Sequence, residues 1–344
     1  MMPRETWADI YLDRLENNYK LLTQQSGKEI FGVVKANAYG HGEYEISKKL
    51  LEIGCSVLCV SSLDEALSLS EHGINSDILI FSYVNPEDIK KYHHENYIYT
   101  VPSLDWYESI KGIETKLRLH VEINTGMNRY GIKNYSELAD MAKNHSVEGI
   151  YTHFQSPVTD DTNKEQLQVF KKVYEAYQGE LKWVHVGNSP FDLVKDENWI
   201  NGMRVGLGMY GYRSNTVGLE PVLELTSKIT HLDTAQVGET VGYDYSYEVK
   251  EAIHFATMPI GYADGFDRRQ SQAPVWIRNQ FYPIIGKICM DQTMIKVDTQ
   301  CLFYDEIELI GKHRTCAYIE EHTGIIPYVQ LSTLSHRIRR VYHQ

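Results

Sequence analysis

The stretch IFGVVKANAYGHGEYEISKKLLEIGCSVLCV, residues 30–60, contains two short apolar runs separated by a polar and amphipathic segment. Similar runs recur along the chain and give eight candidate strands. They are Ile30–Val34, Val57–Val60, Ile78–Phe81, Tyr97–Val101, Leu117–Ile123, Gly149–Phe154, Trp183–Val186 and Arg204–Tyr210. Because strands that alternate with helices form parallel βαβ units, this order predicts a (β/α)₈ TIM-like barrel over roughly the first 220 residues.

Two segments between the runs have clear helical character. We expect helices over Ser136–Asn144 and over Thr162–Gln178. The apolar residues of the second segment repeat at helical spacing and form one stripe, made of Leu167, Phe170, Val173 and Tyr174. The candidate N-caps are Ser136 for the first helix and either Thr162 or Asn163 for the second.

The pattern changes beyond residue 222. Runs such as LELTSKITHLDTA, HFATMPI and MIKVD alternate apolar and polar residues between turn signals. Such alternation is typical of strands with one buried face. The sequence therefore predicts a barrel domain over residues 1–222 and a mainly β domain over residues 223–344, whose last segment, VQLSTLSHRIRRVYHQ, is compatible with a helix or with a strand.

Composition narrows the class of protein. The chain has 344 residues and a net charge of −12, and an acidic chain is poorly suited to binding nucleic acid. No apolar run reaches the ~18 residues needed to span a bilayer, and the N-terminal segment lacks the apolar core of a signal peptide. The five cysteines form neither an even set nor a zinc-binding pattern. We expect a cytoplasmic protein without a metal, a nucleic-acid partner or a membrane partner.

Active sites of (β/α)₈ barrels lie at the carboxyl ends of the strands, so the polar residues that end or follow the runs, or lie around the eighth run, are candidates. Each has an ordinary explanation when taken alone: a lysine that reaches solvent, a core histidine, a surface arginine or a turn glycine. Their convergence on one rim favours a site. They are Lys35, Asn124, Thr125, Gly126, Arg129, His153, Asn188, Ser189, Arg204, Gly206 and Gly208.

Lys35 suggests a chemistry for this rim. A lysine buried at a strand end loses its charge more easily, and a neutral amine can attack an aldehyde to form a Schiff base. Ser189 and Gly206 follow the seventh and eighth runs, where barrels often bind phosphate. A phosphorylated aldehyde cofactor fits both observations, and pyridoxal 5′-phosphate (PLP) is the common one.

The segment VVKANAYGHG, residues 33–42, closely resembles the PLP-attachment signature of the alanine racemase family. The segments NTGMNRYG, YTHF, HVGNS, RVGLGMYG, VGYDYSY, MPIGYADGF and GKICMDQTMI are similar to that family's segments in the same order. The resemblance runs from Lys35 to Tyr328. It implies a barrel followed by a β domain, a homodimer with shared active sites, and interconversion of L-alanine and D-alanine, which supplies D-alanine for cell-wall peptidoglycan.

The resemblance also implies roles for individual residues. Lys35 would carry PLP and act as the base on one face of the substrate carbon, and Tyr243 of the partner subunit would act on the other. Arg204 would face the pyridine nitrogen, and His153 would bridge towards Tyr243. Arg204 and His153 together would supply the positive charge that favours the phenolate form of Tyr243. The remaining cofactor contacts would be Tyr39, Asn188, Ser189, Gly206, Leu207 and Tyr328. The substrate contacts would be Arg129 with Tyr262, Met290 and Asp291, the last three from the partner subunit.

The sequence departs from the family at several positions, including YVQ at Tyr328, where YE followed by an aliphatic residue is more frequent. Many members carry a carbamylated lysine where this chain has Glu122, and Asn124 and Asn128 stand where aspartate and glycine are usual. Our hypothesis is that Glu122 orients Arg129 directly and makes the enzyme independent of bicarbonate. In the alternative, Glu122 points elsewhere and Arg129 is held more loosely.

Three other functions remain open from the sequence. The first is racemisation of another small amino acid, such as serine, or of a broad range of amino acids. The second is a PLP decarboxylase, which Arg204 disfavours because that class tends to pair the ring nitrogen with a carboxylate. The third is a PLP-binding protein without catalysis, which would resemble the barrel alone.

Overall fold

Strand β1 (Thr6–Tyr11) opens the chain, and the next eight strands close into a parallel barrel. The computed structural model describes residues 4–133, 135–157, 159–188, 191–212 and 218–344. The barrel strands are β2 (Glu29–Val33), β3 (Val57–Val60), β4 (Asp77–Ile80), β5 (Tyr97–Val101), β6 (Arg118–Glu122), β7 (Ser146–His153), β8 (Trp183–Gly187) and β9 (Gly202–Val205). The predicted barrel is confirmed, and each apolar run overlaps one of its strands.

The eighth run differs most from its strand. The expected strand covered Arg204–Tyr210, whereas β9 ends at Val205 and the next five residues form a turn. The N–H group of Met209 donates to the carbonyl of Gly206 at 2.9 Å, which closes that turn. Glycines at 206 and 208 lack the side-chain packing that holds a strand, so the loop begins early. Arg204 consequently lies next to the carboxyl end of its strand.

Helices connect the barrel strands. They are α1 (Leu12–Ser26), α2 (Lys35–Tyr39), α3 (Glu43–Glu52), α4 (Leu63–Glu71), α5 (Pro86–Tyr92), α6 (Leu104–Ile110), α7 (Leu138–Asn144), α8 (Asp161–Ala176) and α9 (Phe191–Val194). In α8, Leu167, Phe170 and Val173 are buried as the apolar stripe predicted. The expected cap of α8 was wrong, because it is Asp160 whose side chain accepts from the N–H of Asn163. Ser136 does not cap α7 but lies inside a 3₁₀ turn that precedes it.

The β-rich part follows the barrel. Its strands are β10 (Leu223–Lys228), β11 (His231–Ala235), β12 (Thr240–Val241), β13 (Tyr247–Glu248), β14 (Ile253–Met258), β15 (Val275–Ile277), β16 (Gln280–Tyr282), β17 (Ile284–Ile285), β18 (Thr293–Val297), β19 (Glu306–Ile310) and β20 (Arg339–His343). Its two helices in the described residues are α10 (Cys316–Thr323) and α11 (Pro327–Ser332). The last segment of the chain therefore contains both a helix and a strand.

Strand β1 belongs to the sheet of this β-rich part. The sheet has six strands in the order β16-β15-β19-β10-β1-β20, and β1 pairs antiparallel with β10 and parallel with β20. A second sheet has the order β11-β14-β18-β17, and β12 pairs with β13. The predicted mainly β character after the barrel is confirmed.

The chain divides into two compact units that are interleaved in sequence. The barrel unit comprises Glu16–Ala38 and Glu43–Met209, and the β unit comprises Met1–Leu15, Tyr39–Gly42 and Tyr210–Gln344. Tyr39–Gly42 joins the β unit because Arg340 Nε donates to the Gly40 carbonyl at 2.9 Å. The domain boundary expected near residue 222 stays a prediction. Within the described residues, no helix is both long and apolar enough to cross a bilayer.

Candidate active site

Lys35 opens an unusual turn at the carboxyl end of β2. The next four residues, Ala36 to Tyr39, all have φ between 52° and 53° and form one left-handed turn without a glycine. Left-handed backbone costs a non-glycine residue roughly 1–2 kcal/mol, so the turn must be held from outside. The Glu65 carboxylate does so at one end, since it accepts from the N–H groups of Ala36 at 2.7 Å and of Ser61 at 2.6 Å.

The Lys35 amine is half-buried at this rim. Burial lowers its pKa, the neighbouring cations Arg129 and Arg204 lower it further, and Glu65 partly opposes them. A lowered pKa increases the fraction of neutral amine, which is the nucleophilic form. The barrel therefore makes Lys35 more reactive towards an aldehyde than an exposed lysine.

Arg204 lies buried in the barrel, and both terminal nitrogens of its guanidinium have hydrogen-bond partners. Its Nη1 lies 2.6 Å from His185 Nδ1, and its Nη2 donates to the carbonyl of Thr152 at 2.9 Å. The same Nη2 lies 3.4 Å from His153 Nδ1. Because a guanidinium only donates, both histidines must accept through Nδ1, and each carries its proton on Nε2.

A second buried histidine continues this chain. His185 Nε2 lies 2.8 Å from His120 Nδ1, so the proton fixed on His185 Nε2 is donated to His120. Burial lowers the pKa of His120 to about 3 and that of His185 well below its usual range, so both are neutral at pH 7. Sequence reasoning missed this pair. The available signal was a histidine between two buried apolar residues in each of two strands, Leu119 and Val121 in β6 and Val184 and Val186 in β8.

His153 is also neutral. Burial, with Arg204, Arg129 and Lys35 as neighbouring cations, lowers its pKa to about 3. The expectation that His153 shares a positive charge with Arg204 is therefore wrong, and Arg204 carries the charge. His153 can still accept at one nitrogen and donate at the other.

Glu122 does not contact Arg129. Its buried carboxylate accepts from the Tyr151 hydroxyl at 3.0 Å, and that hydroxyl also lies 3.0 Å from Thr100 Oγ1. The Arg204 guanidinium carbon stands 4.2 Å from the centre of the Tyr151 ring. Among the described residues, no hydrogen bond or ion pair joins Glu122 to Arg129. The hypothesis of direct orientation was wrong, because the tyrosine beside Glu122 satisfies its carboxylate instead.

Arg129 is exposed in a loop built by asparagines. Asn124 Oδ1 accepts from the N–H groups of Gly126 at 3.1 Å and of Asn128 at 3.2 Å. Asn128 has φ 53°, so it occupies the left-handed conformation in which asparagine is tolerated better than most side chains. This conformation explains why asparagine can stand where glycine is usual. The loop borders an open cavity of about 460 Å³ lined by Tyr83, Pro102, Ser103, Asn124, Asn128, Arg129, Tyr130, Gly131 and Lys133.

The loops after β8 and β9 contain the residues that were expected to contact a phosphate. Asn188 follows β8 with φ 65°, and its Nδ2 donates to the carbonyl of Phe154 at 3.0 Å. Ser189 lies outside the described residues. In the part of the chain that the structure describes, the N–H groups of Gly206 and Leu207 donate to no protein acceptor. Backbone N–H groups in a turn that have no protein acceptor are suited to binding an anion.

The remaining expected residues lie in the β unit. The Tyr39 ring is buried, with its centre 6.2 Å from that of Tyr328 and 5.3 Å from that of Tyr210. Tyr243 is 66% exposed and begins a 3₁₀ turn, Tyr243–Tyr245.

Three further expected residues of the β unit lie together. Tyr262 is 44% exposed and Met290 is 52% exposed, and the Tyr262 N–H group donates to the carbonyl of Cys289 at 3.0 Å. The Asp291 carboxylate pairs with Arg337 at 2.5 Å. The Met290 N–H group donates to no acceptor within the described ranges, so it is available to a ligand.

The barrel unit thus has the design of a lysine-centred (β/α)₈ barrel enzyme, with a reactive amine, a buried cation and free amides on one rim. The chain belongs to the alanine racemase family. Residues 10–214 match the family model "Alanine racemase, N-terminal domain", and residues 222–342 match "Alanine racemase, C-terminal domain". The alanine racemase of Lactococcus lactis subsp. lactis is 35% identical over 98% of each chain.

Solved structures are similar over the same length. The alanine racemase from E. faecalis superposes with a TM-score of 0.92 and 31% identity, covering 99% of this chain and 98% of its own. The alanine racemase from Bacillus anthracis, solved with bound L-Ala-P, gives a TM-score of 0.91 and 31% identity, covering 100% and 96%.

Proposed function

We propose that this protein interconverts L-alanine and D-alanine with PLP bound at Lys35. The observation that carries the proposal is the half-buried Lys35 amine, whose pKa is lowered at the rim that also holds Arg204. Full-length similarity to relatives that bear the name alanine racemase supports the reaction, and the bound L-Ala-P of the Bacillus anthracis relative supports a small amino-acid substrate. In a cell with a peptidoglycan wall, the product would supply D-alanine for it.

The residues present fit PLP. Lys35 offers the amine that its aldehyde requires, and Gly206 and Leu207 offer undonated N–H groups to its phosphate. Arg204 would face the pyridine nitrogen, and Tyr39, Tyr328, Asn188 and Ser189 would complete the contacts. When bound, PLP supplies a conjugated ring that takes up the negative charge left on the substrate carbon.

Two bases on opposite faces of a carbon can remove a proton from one side and return one to the other. We assign the first role to the Lys35 Nζ and the second to the Tyr243 hydroxyl. Arg204 keeps its positive charge because its neighbours His185 and Thr152 only accept from it. Beside the ring nitrogen of a bound PLP, the Arg204 cation would oppose protonation of that nitrogen, and this would favour return of the proton to the substrate carbon.

The substrate contacts would come from two copies of the chain. Arg129 and the free N–H group of Met290 can bind a carboxylate, and Tyr262 and Asp291 would border it. We infer that Tyr243, Tyr262, Met290 and Asp291 act in the site of a second copy of the chain, as in a homodimer with shared sites. A non-catalytic PLP-binding protein is disfavoured because the similarity also covers residues 222–342.

The central test is a racemisation assay of the purified protein with PLP and a panel of L-amino acids that includes alanine and serine. We expect D-alanine to form fastest, together with the absorbance band of a lysine aldimine. Lys35→Ala should lose both, whereas Lys116→Ala, at an exposed lysine, should keep both. Retention of activity by Lys35→Ala would exclude the proposed base, and faster turnover of serine would overturn the choice of substrate.

A mixing experiment tests the shared site. Each of Lys35→Ala and Tyr243→Phe should be inactive alone. If the two residues meet across a dimer, a mixed dimer regains one intact site, so an equal mixture refolded together should recover about one quarter of wild-type activity. If both residues of a site came from one chain, no mixture would regain activity.

A further inference from the structure

The β unit contains a fully buried carboxylate that is held by arginines from both ends of the chain. Asp264 is 0% exposed. Arg4 donates to it through two parallel hydrogen bonds, from Nη1 at 2.6 Å and from Nη2 at 2.7 Å. Arg337 approaches the same carboxylate with Nε at 3.3 Å. Buried carboxylates persist in proteins when they are paired in this way, and the two-pronged geometry fixes the orientation of both groups.

Asp264 organises the backbone of the segment that precedes it. Its Oδ2 accepts from the N–H group of Gly261 at 2.9 Å. The next N–H group, that of Tyr262, donates to the carbonyl of Cys289 at 3.0 Å, and the one after it donates to the carbonyl of Met290 at 3.0 Å. A Cβ atom at Gly261 would lie 2.3 Å from the carbonyl oxygen of Cys289, so the two backbones touch. The segments 261–264 and 289–291 therefore form one unit.

Both arginines also reach this pair of segments. Arg4 Nη2 donates to the carbonyl of Asp291 at 3.3 Å, and Arg4 Nε donates to the carbonyl of Pro259 at 3.0 Å. Arg337 Nη2 donates to the Asp291 carboxylate at 2.5 Å. We call the four residues Arg4, Asp264, Asp291 and Arg337 the arginine–aspartate lock. It joins the residues just before β1, the two segments and the residues just before β20.

We propose that the arginine–aspartate lock positions the free Met290 N–H group and the exposed Tyr262 ring for the substrate, with Asp264 as its central positioning residue. The role in substrate binding rests on the proposed racemase function. The ordering of segments 261–264 and 289–291 by the lock does not. The Tyr262 and Met290 side chains are half-exposed, so the position of their backbone largely defines where they stand.

Hydrogen–deuterium exchange of the protein without substrate tests the structural content. Arg337→Met removes the exposed half of the lock and should leave the protein folded. We expect exchange of peptides covering 261–264 and 289–291 to become about tenfold faster, because the amide bonds between the segments open more often. Asp264→Asn and Arg4→Met should increase it further. Arg278→Met, which breaks an exposed ion pair with Asp305, is the matched control and should change neither peptide.

The effect of salt distinguishes the exposed Arg337–Asp291 pair from the buried Arg4–Asp264 pair. Arg337 and Asp291 are 36% and 51% exposed, whereas Asp264 is fully buried. At a salt concentration of about 1 M the screening length falls to about 3 Å, so salt should accelerate exchange as Arg337→Met does, but by less than Arg4→Met. Unchanged exchange in Arg337→Met together with Arg4→Met would overturn the proposal, whatever the enzyme activity.

Steady-state kinetics tests the proposed role of the lock in positioning the substrate. Arg337→Met should raise KM for alanine about five- to tenfold and lower kcat by less than threefold, because positioning of the carboxylate-binding amide is weakened while Lys35 and Tyr243 remain. Faster exchange with an unchanged KM would overturn the assigned role in substrate positioning. A wild-type protein without racemase activity would instead overturn the proposed function and leave the exchange result standing.

Discussion

The buried polar chain of the barrel and the exposed residues of the β unit are expected to serve one reaction, but they are built differently. Arg204, His185 and His120 are buried, and each contacts the next through a side-chain hydrogen bond within the barrel unit. Tyr243 and Met290 are 66% and 52% exposed. The barrel side is thus fixed by folding of its own unit. On the β side, hydrogen bonds hold the backbone around Met290, while the Tyr243 and Met290 side chains are more than half exposed.

The largest expected effect is a loss of kcat in Tyr243→Phe without a loss of folding stability. Tyr243→Phe removes one exposed hydroxyl, so the free energy of unfolding should stay within about 0.5 kcal/mol of the wild type. If the hydroxyl transfers a proton, kcat should fall by about 10²- to 10⁴-fold. Tyr245→Phe, in the same turn and 83% exposed, is the control and should lose less than about twofold. Equal losses in the two variants would mean that Tyr243 is not the second base.

The barrel side should respond in the outcome of the reaction. If PLP binds with its ring nitrogen against Arg204, as proposed, Arg204→Glu would replace a cation by an acid beside that nitrogen and would favour its protonation. We expect the ratio of transamination to racemisation to increase about tenfold or more, measured as keto acid formed per D-alanine. Arg204→Lys keeps the cation and should keep the wild-type ratio even where its rate is lower. An unchanged ratio in Arg204→Glu would exclude control by this charge.

The two regions also differ in how far the sequence predicted them. Strands buried on both faces are continuous apolar runs, and for this reason the eight barrel strands were predicted. Strand β1, with the sequence TWADIY, was missed because its partners β10 and β20 lie more than two hundred residues away in sequence. No local pattern reports such a pairing. The left-handed turn after Lys35 was also missed, since Ala36, Asn37 and Ala38 do not signal a positive φ as glycine would.

The site shows the same limit. Sequence motifs indicated that Lys35 lies at a strand end, because a strand end can be read from the apolar run that precedes it. They placed Arg204 at the start of the eighth run, and only the structure shows it near the carboxyl end of β9. They did not indicate that Tyr151 donates a hydrogen bond to Glu122 or that Arg204 donates one to His185. Those contacts depend on which side chains face inward at one level of the barrel. The lock around Asp264 joins residues about 260 positions apart, and only the fold brings them together.

A smaller effect should distinguish the buried histidines from exposed ones through pH. A histidine buried in its neutral form has a folded pKa below its unfolded value of 6.5, so the unfolded chain binds more protons between pH 6.5 and about 3, and acid favours unfolding. From pH 7.5 to pH 5 we expect His120 to contribute a loss of about 1–2 kcal/mol. His120→Leu should therefore show a shallower pH dependence in urea unfolding, whatever its absolute stability. His254→Ala, at an exposed site, should keep the wild-type slope.

The smallest effect is expected at Asn128, in the exposed loop of the otherwise rigid barrel. Its φ of 53° is open to glycine and tolerable for asparagine, while alanine there would carry a left-handed penalty of about 1 kcal/mol. Asn128→Ala also removes the bond from Nδ2 to the Gly126 carbonyl at 2.9 Å, so unfolding should become easier by about 1–2 kcal/mol. Asn128→Gly loses the same bond but relaxes the backbone, so its stability should lie closer to the wild type. If alanine and glycine were equivalent in urea unfolding, the left-handed conformation would not be what selects asparagine, and the placement of Arg129 beside it would need another explanation.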